Sequence, residues 1–220
     1  MDERSGKAII QAIVDSYSSP VVRAYCSARF LILRQRFYEE ISQYIRPDAR
    51  VLELGCGFGL FSLYVALSEP GRVVAGQDLD ARRIQLARRA ARRLGAGNAR
   101  FDVGDALAYR AGRERYDAVV LIDLVHHLPR DRARAVLGQC RDSLGPDGLM
   151  LVKEVETGNT FKTGFTYVAD RAVAGLDCPI HYRSRGEMRA LLTDLGFRVR
   201  HHSMIDYIPF PHIFYVATRR

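Results

Sequence analysis

The sequence predicts an α/β fold in which helices cover both faces of a mostly parallel sheet. Five short apolar runs have the length of buried strands, and helical segments separate most of them. Alternation of strands and helices is typical of a parallel sheet with right-handed crossovers. The strand-like runs lie at about residues 50–54, 72–77, 99–103, 117–122 and 148–154, and the helices between them at 59–67, 81–95 and 131–144.

A helical region precedes the first strand. From Ile9 to about Ile45 the apolar pattern is helical and rich in aromatic residues, with a break at 18–20 and an end at Pro47. We therefore expect helices over residues 1–46 and the α/β core over residues 47–220.

A glycine-rich turn follows the first strand. Gly55, Gly57 and Gly59 alternate between that strand and the next helical segment, where they allow a ligand to approach the backbone closely. Such turns receive nucleotide-like cofactors at the carboxyl ends of parallel strands. The carboxylate of Glu53, just before the turn, suits a ligand with a positive group and would repel a pyrophosphate. S-adenosylmethionine, which carries an ammonium beside a sulfonium, is the natural candidate.

The C-terminal part departs from the alternation. A helix from Ser184 to Leu195 is followed by strand-like segments at Phe197–Met204 and Ile213–Thr218, which predict a closing hairpin. The connection at 157–183, between the fifth strand and that helix, is long. A connection of that length within a compact domain is usually functional.

Size and composition limit the class of protein. A chain of 220 residues that is 48% hydrophobic can form one sizeable domain. Its four cysteines are scattered, which argues against a zinc site or a disulfide framework and predicts a reducing compartment without a bound metal. The N-terminus lacks the layout of a signal peptide, and no apolar run approaches the length of a membrane span. We expect a cytoplasmic protein.

The net charge of +8 comes almost wholly from arginine. On the helix from Ala81 to Leu94 the arginines share one broad face, and Ile84, Ala87 and Ala91 share the other. This pattern is typical of the solvated outer face of a layered domain and gives weak support to nucleic-acid binding. The arginines of that face are Arg82, Arg83, Arg88, Arg89, Arg92 and Arg93.

Four sequence elements resemble those of class I S-adenosylmethionine-dependent methyltransferases. They are Leu52–Gly59, Gly76–Asp80, Gly104–Ala106 and Tyr116–Pro129, in the order and spacing of that family. A single glycine turn would be weak evidence, but four elements over roughly residues 48–155 are specific. The resemblance implies a Rossmann-like, seven-stranded, mostly parallel sheet of order 3-2-1-4-5-7-6 with strand 7 antiparallel. It also implies that residues 1–46 form a lid and that the insertion 157–183 covers the substrate.

Asp78 is the predicted ribose-binding residue. It lies nineteen positions after Gly59, at the end of the second strand, where a carboxylate can accept two hydrogen bonds from ribose hydroxyls. The alternative is a helix N-cap, for which Asp80 is the better candidate. By resemblance, Asp105 accepts the adenine amino hydrogen, with a backbone contact from Ala106.

The remaining cofactor-binding residues are predicted from their positions in the four elements. Asp123 ends the fourth strand, where it could meet the methionine ammonium, and a carboxylate buried there without a cation would be costly. Tyr17 could reach the cofactor carboxylate or serve as a core aromatic. The predicted cofactor-binding residues are Tyr17, Glu53, Gly55, Cys56, Gly57, Asp78, Leu79 (against the adenine face), Asp105, Ala106 and Asp123.

Three residues are predicted to be catalytic. His127 follows the fourth strand and can either pack against the cofactor or transfer a proton, whereas its neighbour His126 is expected on the far side. His181 and Tyr182 lie in the covering insertion and supply a base and a phenol, although an exposed polar loop would contain the same residues. Glu154, at the end of the fifth strand, is expected near the crevice.

These elements together predict methyl transfer from S-adenosylmethionine to an oxygen or nitrogen of a small aromatic or lipid-like molecule. An RNA methyltransferase is one alternative, but the base-modifying tetrad Asn/Asp-Pro-Pro-aromatic is replaced by the residues from Asp123 to His126. A lipid head-group N-methyltransferase in peripheral contact with a membrane is another, because the helix from Val21 to Ile45 is rich in arginine and aromatic residues. A non-catalytic S-adenosylmethionine-binding protein is the third.

Overall fold

The computed structural model describes residues 3–110, 112–155, 180–204 and 212–219. Its strands form one seven-stranded sheet of order β3-β2-β1-β4-β5-β7-β6. β1, β2 and β3 pair in parallel, and β7 runs antiparallel to both β5 and β6. The predicted Rossmann-like order and the antiparallel seventh strand are confirmed. The strands are β1 (Arg50–Leu54), β2 (Val73–Asp78), β3 (Ala99–Val103), β4 (Tyr116–Ile122), β5 (Leu144–Val155), β6 (Phe197–Ser203) and β7 (His212–Arg219).

Helices precede and separate the strands. In the described part of the chain they are α1 (Glu3–Asp15), α2 (Pro20–Ile32), α3 (Gln35–Gln43), α4 (Leu60–Ser68), α5 (Ala81–Arg93), α6 (Arg130–Ser143) and α7 (Arg185–Asp194), with a 3₁₀ turn at Val125–His127. None of these helices has the length and apolar character needed to cross a membrane. The predicted break near Pro20 separates α1 from α2, because Ser19 caps α2 and Pro20 starts it.

The chain divides into two compact units. The first contains residues 1–108 and 116–118, and the second contains residues 109–115 and 119–220. In the first unit, α1 packs against α2, α3 and α4, so the N-terminal helices are part of its core. The division into a lid over 1–46 and a core over 47–220 remains a prediction. Of the predicted covering insertion 157–183, residues 157–179 lie outside the described part of the chain.

The two helices that flank β2 in the first unit differ in burial because their sequences differ. α4 is apolar on all sides, and its residues from Leu60 to Ala66 are buried. α5 buries Ile84, Ala87, Ala90 and Ala91 and turns its arginines to solvent, which confirms the predicted outer face. The exposed arginines of α5 are Arg82, Arg88, Arg89, Arg92 and Arg93.

Candidate active site

The glycine turn connects β1 to α4 in a left-handed backbone conformation. Gly55, Gly57 and Gly59 have φ angles of 76°, 54° and 79°, values that residues with a Cβ rarely adopt. A Cβ at Gly59 would lie 2.6 Å from the ring of Phe101, so this glycine is also required by packing. A Cβ at Gly57 would meet no described atom within 4 Å, so the space beside this residue is open.

Asp78 holds the glycine turn to the end of β2. Its Oδ2 accepts a hydrogen bond from the Gly57 N–H at 2.8 Å, and its Oδ1 accepts one from the Asp80 N–H at 2.9 Å. Each carboxylate oxygen has a second lone pair, so Asp78 retains the capacity to accept hydrogen bonds from a ligand. The helix N-cap is Asp80, which accepts bonds from the N–H groups of Arg82 and Arg83.

Glu53 is a buried carboxylate directly below the turn. It is 3% exposed, and its Oε2 accepts hydrogen bonds from the backbone N–H and the hydroxyl of Ser62. The pKa of Glu53 is raised to about 7, mainly by burial and in part by the negative charge of Asp78, while the hydrogen bonds from Ser62 and the charge of Arg29 oppose the shift. A cation beside Glu53 would therefore stabilise its ionised form near neutral pH.

Tyr17 and Cys56 are buried side chains at the glycine turn. Tyr17 is 2% exposed, and its hydroxyl donates to the Phe58 carbonyl oxygen at 2.7 Å, so it ties the end of α1 to the turn. Cys56 is also buried, which keeps the pKa of its thiol well above the ordinary value. The backbone N–H groups of Gly55 and Cys56 both donate to the Gln77 carbonyl oxygen. Direct contacts of Tyr17 and Cys56 with a cofactor remain predictions.

The residues predicted to bind adenine lie after the ends of β2 and β3. Asp105 is half-buried, and its Oδ1 accepts a hydrogen bond from the Leu107 N–H, which forms a local turn around Ala106. Leu79 is 70% exposed and Leu107 is 37% exposed. Two apolar side chains are thus exposed, one directly after β2 and one shortly after β3, and their contact with adenine remains a prediction.

In the second unit, Asp123 forms an ion pair with Lys153. Lys153 Nζ donates to Asp123 Oδ1 at 2.6 Å, and the Asp123 N–H donates to the Lys153 carbonyl oxygen. Lys153 is 1% exposed, and Asp123 has a φ of 53°. The sequence favoured a bound cation to balance Asp123, but Lys153 already supplies this charge. Contact of Asp123 with the methionine ammonium remains a prediction that no longer follows from the cost of burial.

His126 and Glu154 form a second buried pair, which sequence reasoning missed. His126 Nδ1 and Glu154 Oε2 are 2.5 Å apart, and Glu154 Oε1 accepts a hydrogen bond from the Val125 N–H. The two residues are 2% and 4% exposed. A carboxylate that fixes the orientation of an imidazole is a recurrent arrangement in acid–base catalysis. The sequence feature that could have indicated this pair is the position of both residues at the carboxyl ends of predicted strands.

The three predicted catalytic residues surround this pair. The rings of His127 and Tyr182 have centroids 4.2 Å and 5.6 Å from that of His126. The His181 N–H donates to the His126 carbonyl oxygen at 2.6 Å, and the side chain of His181 is exposed. The structure therefore brings His127, His181 and Tyr182 together around His126.

Comparison with known families identifies the central segment. Residues 51–148 match the family described as a methyltransferase domain. The match covers the glycine turn and the strands that carry Asp78 and Asp123, and the strand order is that of the class I enzymes. This segment is therefore similar to a methyltransferase domain, and its fold agrees with the resemblance of its sequence elements to class I S-adenosylmethionine-dependent methyltransferases.

Curated relatives are methyltransferases of small molecules. The chain is 30% identical over 170 residues to an indolepyruvate C-methyltransferase of Streptomyces griseus, a match that covers 71% of this chain and 48% of the relative. It is 28% identical over 178 residues to a ubiquinone biosynthesis O-methyltransferase of Parvibaculum lavamentivorans, a match that covers 75% of this chain and 66% of the relative. The chain thus spans less than two thirds of the length of either relative.

Solved structures share the fold. A magnesium protoporphyrin IX methyltransferase from Synechocystis, crystallised with S-adenosylhomocysteine, aligns with a TM-score of 0.65 at 19% identity, over 84% of this chain and 83% of that one. An O-methyltransferase family protein from Burkholderia thailandensis aligns with a TM-score of 0.69 at 19% identity, over 86% of this chain and 57% of that one.

Proposed function

We propose that this protein transfers a methyl group from S-adenosylmethionine to a small-molecule acceptor. The observation that carries the proposal is the glycine turn, which is bonded to Asp78 at the end of β2, has open space beside Gly57 and follows the buried carboxylate of Glu53. The sulfonium of the cofactor supplies an activated methyl group, so the protein mainly supplies alignment and exclusion of water. In the reaction the bond from methyl carbon to sulfur breaks as the bond to the acceptor atom forms.

The first unit would hold the cofactor. Glu53 provides a negative charge for the ammonium, and Asp78 provides oxygens for the ribose hydroxyls. Asp105 would accept from the adenine amino group, with Leu79 against the ring. The proposed set in this unit is completed by Gly55, Gly57, Cys56, Ala106 and Tyr17.

The second unit would deprotonate the acceptor. A neutral amine attacks a methyl group without help, whereas a hydroxyl needs a base. The fixed pair of His126 and Glu154 supports an oxygen acceptor, because such a base would be unnecessary for an amine. Burial of the pair keeps bulk water from the imidazole. His127, His181 and Tyr182 remain candidates for direct contact with the acceptor.

Methyl transfer should label small molecules and leave nucleic acids unlabelled. The arginines on α5 form a solvated face, and the base-modifying tetrad is missing from the residues after β4. The measurement is a tritiated-methyl assay with a small-molecule extract, total RNA and DNA as parallel acceptors. Saturable labelling of RNA that weakens steeply with salt would contradict the proposal and favour an RNA methyltransferase.

A further inference from the structure

A small pocket of the second unit lies beside the His126–Glu154 pair. It has a volume of about 150 Å³ and is formed by residues that precede and begin α7 together with the first residue of α6. Two of its residues contact His126, since the His181 N–H donates to the His126 carbonyl oxygen and the Tyr182 ring packs on the imidazole. The residues that line the pocket are Arg130, His181, Tyr182, Arg183, Glu187 and Leu191.

Arg183 is a fixed cation in the wall of this pocket. Its guanidinium donates to the carbonyl oxygens of Val125 (2.8 Å), Leu128 (2.6 Å) and His181 (3.1 Å). These acceptors are uncharged, so they fix the side chain through hydrogen bonds alone, while the carboxylates of Glu154 and Glu187 act on the guanidinium from a longer distance. A guanidinium has five N–H donors, and the donors of Arg183 beyond these three bonds have no acceptor in the described part of the chain. Arg183 is therefore oriented before any ligand arrives.

The pocket contains more positive than negative charge. Glu187 is its carboxylate, and Glu187 Oε2 accepts hydrogen bonds from the backbone N–H and the hydroxyl of Ser184 in the capping box of α7. Those bonds, together with Arg130 and Arg183, lower the pKa of Glu187, so it is ionised and already engaged at neutral pH. Within the described residues, neither Arg130 nor Arg183 lies within 4.0 Å of a carboxylate oxygen.

We propose that this pocket binds a carboxylate group of the acceptor. The acceptor is then an anionic small molecule. This inference rests on the proposed function, because it identifies the bound carboxylate as part of the molecule that is methylated. A planar carboxylate can accept paired hydrogen bonds from a guanidinium, and Arg130 supplies a second positive charge in the lining of the same pocket. The volume admits a carboxylate with a short or flat adjoining group.

Benzoate and benzamide test the inference without a known substrate. Both have the same shape, but only benzoate is charged. We expect benzoate to perturb the NMR resonances of His181 and Tyr182 with an affinity about tenfold or more above that of benzamide, because a charge-assisted hydrogen bond is lost with the amide. Equal affinities of the protein for benzoate and benzamide would overturn the proposal. Binding of inorganic phosphate that is tighter than binding of benzoate would also overturn it.

Arg130→Gln provides the matched test of the pocket, with Arg189→Gln as control. Arg130 is exposed at the start of α6, and Arg189 is exposed on α7 away from the lining residues, so neither variant should lose its fold. We expect Arg130→Gln to weaken benzoate about tenfold and Arg189→Gln to leave it unchanged. Equal effects of the two substitutions would mean non-specific attraction and would overturn the site. Benzoate binding by a protein that fails to bind S-adenosylhomocysteine would retain the pocket and refute methyl transfer.

Discussion

Replacement of Asp78 by alanine should weaken S-adenosylhomocysteine binding by about 10- to 100-fold, because charged hydrogen bonds contribute roughly 1.5–3 kcal/mol each. Two effects combine in this variant. The ribose hydroxyls lose their acceptor, and the N–H groups of Gly57 and Asp80 lose the carboxylate that fixes the turn. Isothermal titration calorimetry on the folded variant measures the change.

Asp80→Ala is the matched control for this prediction. It removes a carboxylate two residues away, and with it the cap of α5, which should cost about 1 kcal/mol of unfolding free energy. Cofactor affinity should remain within a few-fold of the original protein. Unchanged affinity in Asp78→Ala, or an equal loss in Asp80→Ala, would show that the assumed cofactor position is wrong.

Replacement of His126 by asparagine should lower kcat at least about 100-fold on a hydroxyl acceptor, since general base catalysis typically contributes 10²–10⁴. Glu154→Gln keeps the shape of the carboxyl group but removes the charge that orients the imidazole, so it should lower kcat in the same direction. Affinity for S-adenosylhomocysteine should be unchanged in both variants. The measurement is turnover at saturating cofactor with an acceptor found by the labelling assay.

His127→Asn, His181→Ala and Tyr182→Phe separate the other candidates. His127 and Tyr182 have rings close to that of His126, and His181 contacts it through its backbone N–H, so none of these variants removes the pair itself. If one of these variants loses turnover while His126→Asn retains it, that residue is the base and the assignment to His126 is wrong. Full turnover in all of the variants would mean that the acceptor is deprotonated without them, and an amine would become the better acceptor.

The sequence predicted the architecture well because most of it is encoded locally. The glycine turn, the strand that ends at Asp78 and the closing hairpin each have a pattern of their own. The fifth strand was predicted from 148, whereas β5 begins at Leu144. The intervening Gly145–Gly148 contains strong turn signals, and the pairing of β5 with β7 starts at Leu149.

The paired residues of the second unit could not be predicted in the same way. His126 meets Glu154 across 28 residues, and Asp123 meets Lys153 across 30, so each pair depends on how the ends of β4 and β5 align. The spacing of apolar residues in a single sequence does not show how the ends of two separate strands align. The local pattern at the end of β4 therefore indicated Asp123 but contained no sign that Lys153 is its counter-charge.

We infer that the first unit binds S-adenosylmethionine through the carboxylate of Glu53. The most direct measurement is calorimetric titration with S-adenosylhomocysteine and with NAD at pH 8 and pH 6. Because burial raises the pKa of Glu53 to about 7, the carboxylate is ionised at pH 8 and becomes protonated as the pH falls to 6. Loss of that charge removes the attraction for the ligand ammonium.

We expect one-to-one binding of S-adenosylhomocysteine at pH 8, weakened by up to about tenfold at pH 6 according to proton linkage. Glu53→Gln should bind weakly at both pH values, and NAD should not bind. Binding of NAD, absence of S-adenosylhomocysteine binding at pH 8, or an affinity that is the same at both pH values and in Glu53→Gln would contradict the account.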